Sequence, residues 1–405
     1  MTLLLQILVS LLMLKAVLTL ALAFAHPRVQ HRRSRQYDTQ PLPGVSVMIA
    51  AYNEEVGIAD TLRSILTQDV PQLQVIVVDD GSTDRTAEIA RSFAEQDRRV
   101  TVLQQPNGGK ARALNTAIDH LRYPVAVSVD ADSALAPGTL AALARHFHDP
   151  RVGAVAGDVR VAGPDTLLTR IQYLEYTVGQ QLEKRTQDML GAISVVPGAA
   201  GAFRSEALRV LRYSHDTLTE DMDLTIGLAA AGYDVRFEPA AISYTEPPVT
   251  LQDLWRQRTR WMYGTFQVMG KYRHQLLRRR SGRLGWLTLP YILLYGLILG
   301  GVGPLFDLLS MTMLFHHASE LVIPLLLNLG ADFAVVGAAL GLSRQGARAM
   351  LLTPSQRLFL RPFVFLVVVV TCVSFIRRRN VPWNKLPRVG LHMPQSEIAR
   401  ATAGD

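Results

Sequence analysis

One cysteine, Cys372, stands in the 405 residues, and it lies inside an apolar run. That excludes a disulfide framework and a cysteine-based metal site, and it leaves the redox compartment undetermined. A basic stretch ahead of the first apolar run is also missing. Nor is there a basic surface suited to nucleic acid, despite the net charge of +8. The surplus gathers at Arg28, Arg32, Arg33 and Arg35, at Arg278-Arg279-Arg280 and at Arg377-Arg378-Arg379, each group beside an apolar stretch. Juxtamembrane anchoring accounts for that placement, and nucleic acid is not an expected partner.

The hydrophobic fraction of 49% is concentrated at the two ends, while residues 44 to 285 carry most of the charge. A soluble domain between membrane parts follows. Residues 2 to 25 approach the ~20 residues that a spanning helix needs, with only Gln6 and Lys15 interrupting them. Ala23-Phe24-Ala25 resembles a signal-peptide cleavage site, yet four arginines follow immediately, as a stop-transfer signal requires. We read 1–25 as a retained transmembrane helix and 26–43 as a basic linker, which places the next domain on the cytoplasmic side of a plasma membrane.

Between residues 44 and 130, short apolar runs alternate with helical stretches. Val45–Ala50, Leu73–Val78, Val100–Leu103 and Val125–Val129 suit strands buried on both faces; Glu55–Thr67, Arg85–Ala94 and Lys110–Leu121 suit helices. This pitch implies a doubly wound, mostly parallel α/β sheet within a domain spanning 44–250. Farther along, Ala154–Val161 reads as a strand and Leu167–Leu190 as a long helix, on which Gln172, Glu175, Lys184 and Arg185 read as a solvated face. Residues 251–285 mix Trp255, Trp261, Tyr263 and Phe266 with many basic residues, the composition of an interfacial amphipathic helix. About three spans are expected in 286–376, followed by a basic tail, 377–405. If each apolar tract crosses once, that tail emerges against the positive-inside rule, so the topology of this end stays open.

The chemistry-bearing residues sit at the ends of these elements. Asp79-Asp80-Gly81-Ser82 closes the second strand, and Tyr52-Asn53-Glu54 closes the first. The two ends read either as capped turns or as a bracket for a base, with Asp80 accepting a uracil imide hydrogen. Asn107-Gly108-Gly109-Lys110 is a plain turn or a close approach in which Lys110 meets a diphosphate. Asp130 and Asp132 lie two apart after a strand, so their side chains point the same way and suit one hard divalent cation, Mg2+ or Mn2+; a polar loop start is the alternative. Thr219-Glu220-Asp221 reads as an acidic first turn with Thr219 as N-cap, an arrangement compatible with Asp221 acting as general base. Gln257, Arg260 and Trp261 share a helix turn, either as interfacial anchors or as a site where Trp261 stacks on a sugar.

Taken in order, Val75–Asp84, Gly109-Lys110, Asp130-Ala131-Asp132, Gly201–Arg204, Thr219-Glu220-Asp221 and Gln257–Trp261 resemble the processive family-two glycosyltransferases, which include bacterial poly-N-acetylglucosamine, hyaluronan, chitin and cellulose synthases. The resemblance covers about residues 44 to 275. Pro150–Val155 and Glu183–Gln187 look like the poly-β-1,6-N-acetylglucosamine branch. It implies a GT-A fold and an inverting, metal-dependent transfer from a UDP-sugar, with UDP-N-acetylglucosamine as the best guess. Tyr52, Glu54, Asp80, Lys110 and Asp130 then face the donor, Asp130 and Asp132 the metal, and Asp221 the proton of the acceptor. Glu220, Gln257, Arg260 and Trp261 face a growing polysaccharide. This chain has one amino-terminal apolar span where that branch commonly has two, and a small membrane partner subunit is expected. A single-addition glycolipid synthase and a catalytically silent nucleotide-sugar sensor are the rival readings.

Overall fold

The computed structural model describes residues 2–35, 37, 39–163, 165–294, 304, 307, 318–378 and 390. Eight strands form one sheet in the order β3-β2-β1-β4-β7-β6-β8-β5. They are β1 (Val45–Ala51), β2 (Leu73–Asp79), β3 (Val100–Gln104), β4 (Val125–Ser128), β5 (Ser133–Leu135), β6 (Val152–Val161), β7 (Gly201–Arg204) and β8 (Asp234–Thr245). The first four strands are parallel, as the alternating pattern requires, and α2 (Ile58–Leu66), α3 (Thr86–Gln96) and α4 (Lys110–Ile118) cross between them. Val45, Val47, Ile49, Val75 and Val77 are fully buried among the layers, each worth about 1.5–3 kcal/mol of burial.

In its second half the sheet is mixed: β6 pairs with β8 in parallel. β7 runs antiparallel to both β4 and β6, and β5 antiparallel to β8. Its reversal has a local consequence: Ser128 at the end of β4 pairs with Gly201 at the start of β7, so the chain entering β7 passes over the carboxyl end of β4. Order reverses at β1/β4, and the crevice outside such a switch point is where ligands collect in open α/β sheets.

The stretch 167–190 is helical, but not as one regular helix with a wet face. α6 (Leu167–Val178) runs into a π turn at Gly179–Lys184 and then α7 (Arg185–Leu190). Gln172, Lys184 and Arg185 are buried at 0, 8 and 5% exposure, which overturns their reading as a solvated face. Sequence spacing placed them on one side, and that side faces protein. α5 (Thr139–Ala144) and α8 (Ser205–Leu211) complete the shell of the sheet, while α9 (Glu220–Ala230) and α10 (Leu251–Tyr272) lie toward the membrane parts.

Three helical stretches are long and apolar enough to cross a membrane: Ser10–Arg35, Leu326–Ser343 and Ala347–Ile376. The first belongs to α1 (Thr2–Arg35), which continues through Pro27 and the expected linker. The second belongs to α11 (Ala318–Ser343) and the third ends in α12 (Arg361–Ile376). The expected span at 286–315 and the tail beyond 378 lie mostly outside the described residues. α10 packs its aromatic face on α12, with Trp255 against Phe363 and both Tyr263 and Phe266 against Phe375. The aromatic face of this helix thus meets a neighbouring helix. Asp332 and Asp307 pair with Arg357 and Arg361, tying α11 to the start of α12.

A buried polar thread fastens α1 to the sheet domain. Asp158 on β6 accepts from Gln181 at 2.9 Å, and Arg185 donates to Gln181 at 2.8 Å. His26 lies 3.4 Å from Arg185 and 3.0 Å from Asp188, which also binds Arg33 at 2.8 Å and the Phe237 amide at 3.2 Å. Arg33 is therefore more than a lipid anchor. Asp188→Ala leaves His26 and Arg33 without their shared partner, and a loss of about 3 kcal/mol is expected. A thermal melt of the detergent-solubilised chain measures it; an unchanged midpoint would mean that apolar contacts alone hold α1.

Candidate active site

Three strand ends and two helix starts converge. β1 ends in Tyr52-Asn53-Glu54, where Asn53 adopts φ 54°, a conformation that asparagine tolerates better than most residues. Its amide donates to Ser82 Oγ at 2.9 Å and its side-chain oxygen accepts from the Thr83 amide at 2.8 Å. The Glu54 amide donates to Thr86 Oγ1 at 2.7 Å. The ends of β1 and β2 are thus laced together, leaving Tyr52 and Glu54 half-buried at the rim.

Asp80 departs from the expected free acceptor. At 3% exposure, its Oδ1 accepts from the Gly108 amide at 3.0 Å and Gln105 Nε2 at 2.7 Å, and its Oδ2 from the Gly109 amide at 2.7 Å. The carboxylate is engaged in shaping the turn before α4. Gly109, at φ 86°, takes a backbone conformation that side-chain-bearing residues rarely adopt. This turn delivers Lys110 at the first position of α4.

The Lys110 ammonium lies 2.5 Å from Asp130 Oδ1 and 3.5 Å from Glu220 Oε1. Burial alone would lower its pKa, but Asp130, Glu220 and Asp221 together hold it above its ordinary range. Lys110 therefore stays charged and links two acidic groups that are 90 residues apart in sequence. The Asp130–Asp132 turn is itself rigid: Thr61 Oγ1 donates to the Ala131 carbonyl at 2.9 Å, and the Ser133 amide to the Asp130 carbonyl at 3.0 Å.

Asp130 and Asp132 fit a hard divalent cation by donor chemistry and by space. Gly198 lies so close above them that a Cβ there would stand 3.0 Å from Asp130 Oδ1 and 2.7 Å from Lys110 Nζ. The missing side chain keeps the carboxylate approachable. Among the described residues no group of three ligating side chains forms, so two carboxylates would leave the remaining positions to substrate oxygens and water, as Mg2+ and Mn2+ commonly accept.

Asp221 opens α9 beside Glu220. Its burial pushes the carboxyl up to about 6, Glu220 adds to the rise, and Lys110 opposes it. Asp223 points elsewhere, binding Lys271 at 2.7 Å and Tyr272 at 3.0 Å on α10. Thr219 holds the N-cap position, but its hydroxyl makes no cap and is buried without a partner among the described residues. It is crowded instead by α10, where a Cβ on Gly264 would fall 2.5 Å from Thr219 Oγ1.

Gln257, Arg260 and Trp261 join Lys110, Asp130, Asp132, Glu220 and Asp221 around a single cavity of about 910 Å3. The cavity also reaches Leu12, Met13 and Ala16 of α1 and Asn328 of α11. Two residues that sequence reasoning missed support its wall. Arg258, 7% exposed, binds Glu175 at 2.6 Å and lies 4.4 Å from the centre of the Trp261 ring. Its spacing of three from Trp261 was the available signal. Lys184, bonded to the Val195 carbonyl, also lines the cavity; burial lowers it to about 8 against the pull of Asp221 and Glu183.

Residues 43–264 match the family described as "Glycosyltransferase like family 2". The chain is similar to a poly-β-1,6-N-acetyl-D-glucosamine synthase of Staphylococcus epidermidis, 34% identical over 232 residues, covering 57% of this chain and 56% of that protein. A Staphylococcus aureus synthase of the same name is 34% identical over 230 residues, covering 56% of each. The match thus spans about half the length of these curated relatives. A mannosyltransferase from Pyrobaculum calidifontis, solved with GDP-Man and Mn2+, shares the fold with a TM-score of 0.55 at 23% identity, over 90% of this chain and 99% of that one.

Gly264→Val forces β-branched bulk into the Thr219 contact, and overpacking of this kind costs about 1–3 kcal/mol. A drop in the thermal midpoint of the purified chain checks the expectation. A neutral result would show that α10 and the start of α9 are not in fixed contact.

Proposed function

The chain belongs to glycosyltransferase family 2, and from that premise we propose that it is a membrane-bound inverting enzyme that polymerises a nucleotide sugar, UDP-N-acetylglucosamine, into a β-linked exopolysaccharide. The observation that carries this reading is the meeting of Asp130, Asp132, Glu220 and Asp221 with Gln257, Arg260 and Trp261 around one cavity. The synthase relatives favour the donor and the polymer. The three apolar helices favour a plasma-membrane location, with the catalytic domain cytoplasmic by the charge of the α1 end.

Donor binding falls to the strand ends. Tyr52 and Glu54 border the base, Asp80 sets the turn that presents Lys110, and Lys110 with Arg260 meets the diphosphate. Asp130 and Asp132 are the side chains that would hold a divalent cation, Mg2+ or Mn2+. When bound, it would neutralise charge on the departing nucleotide. Asp221 removes the proton from the acceptor hydroxyl as that oxygen attacks the anomeric carbon from the face opposite the nucleotide. Its desolvated carboxylate suits this task, because a raised pKa strengthens the base while leaving it ionised at neutral pH. Glu220, Gln257 and Trp261 orient the acceptor sugar. A small membrane partner belongs to this reading, and the exposed Leu14, Val17 and Leu18 of α1 offer it an apolar face.

One observation favours a second reading. The apolar side chains of α1 in the cavity wall would also suit a lipid acceptor, making the enzyme a single-addition glycolipid synthase. Product size separates the two. Membranes carrying the chain, given labelled UDP-N-acetylglucosamine, UDP-glucose or UDP-glucuronate, should convert the first into polymer. No transfer from any donor, with the protein verified, would end the enzymatic reading.

Two results are expected within that assay. Asp221→Asn should lower transfer by at least about a hundredfold while nucleotide-sugar binding, measured by calorimetry, persists; full activity would remove Asp221 from the chemistry. The wild-type rate should also show an acid limb near pH 6, where burial places the Asp221 carboxyl. Above that pH the base is ionised and the rate is level. Below it the rate should fall about tenfold per unit, and a flat profile down to pH 5 would contradict the assignment.

A further inference from the structure

The π turn at Gly179–Lys184 carries a face that the proposed chemistry leaves unused. Tyr176, Gln180, Glu183 and Gln187 from this helical stretch line the same 910 Å3 cavity as the carboxylates. Turns of this kind are rare and recur at functional sites. Contiguity with the acceptor end is direct: Tyr176 lies 6.0 Å from the Arg258 guanidinium, which in turn lies under Trp261.

The polar atoms on this wall have a common sense. Gln180 Oε1 and Gln257 Oε1 are buried and meet no donor among the described residues. Glu183 adds an exposed carboxylate, another acceptor. Buried acceptors without donors are uncommon in folded proteins. A diphosphate would not meet them, since its oxygens only accept; pyranose hydroxyls and an acetamido N–H donate.

We propose that Gln180 and Glu183, continuing the wall beyond the acceptor-facing Gln257, form a saccharide subsite for the penultimate sugar of the acceptor. The inference rests on the polymerising reading above and specifies where that polymer is gripped. Holding a second sugar orients the terminal hydroxyl before attack and favours re-use of the same chain over release.

The test uses the full chain in detergent with UDP-N-acetylglucosamine and β-1,6-linked N-acetylglucosamine monomer, dimer and trimer as acceptors. Wild type should use the dimer with kcat/KM roughly two- to tenfold above the monomer, the worth of one or two hydrogen bonds. Gln180→Met keeps the length of the side chain without its acceptor and should abolish that preference, whereas Gln180→Glu should restore it. Glu183→Ala, at an exposed position, removes the second acceptor, should reduce the preference and guards against misfolding of the first variant. Equal use of monomer and dimer by wild type, or an undiminished preference in both Gln180→Met and Glu183→Ala, would overturn the subsite alone. Failure of wild type to extend any acceptor would remove the polymerising reading together with it.

Discussion

The site depends on holding four carboxylates together around one partly enclosed cavity. Asp130, Asp132, Glu220 and Asp221 line one cavity, and like charges at such range disfavour ionisation. Lys110 is what makes the grouping tenable. Its ammonium bridges Asp130 and Glu220, and its own charge is sustained by those partners against burial. The remaining imbalance falls on Asp221, whose carboxyl rises because it is buried beside Glu220 with Lys110 only partly compensating. The raised carboxyl of Asp221 thus arises from the same electrostatics that hold the acidic cluster together.

That cluster is assembled from segments with separate structural duties. Asp80 braces the turn leading to Lys110, Thr61 of α2 fixes the Asp130–Asp132 turn, and Asp223 joins α9 to α10 through Lys271 and Tyr272. Each carboxylate near the site is therefore either a reactive group or a brace, and its hydrogen bonds decide which. The acidic triplet on α9 divides in this way: Glu220 and Asp221 face the cavity, whereas Asp223 is fully engaged behind it.

Much of this was legible because strand ends leave clear marks. Continuous apolar runs ending in Asp79-Asp80 and Asp130-Ala131-Asp132 located the parallel half and its carboxyl edge to within a residue or two. The reversal at β7 was not legible, since Gly201–Arg204 is short and antiparallel pairing depends on partners distant in sequence. The burial of Lys184 and Arg185 escaped for a related reason. Polar spacing on a helix identifies a face but not what covers it, and here the cover is a membrane helix and the sheet. Asp80 misled in another way: its position at a strand end was read correctly, but three donors from the Gln105–Gly109 turn occupy it.

The antiparallel insertion explains why the acidic residues and Trp261 share one cavity. In a wholly parallel sheet, crossover helices cover the faces and the crevice lies at one edge of the switch point. Here β7 returns across β4, so the Gly198 segment passes directly above Asp130, with no side chain to obstruct it. The chain that follows then supplies α9 and α10, bringing Asp221 and Trp261 to the same cavity. Arg258 and Glu175 join that wall to α6, which continues through the π turn to the polar thread holding α1. Displacement of α1 would therefore be felt at Trp261 through a continuous series of packed and ion-paired groups.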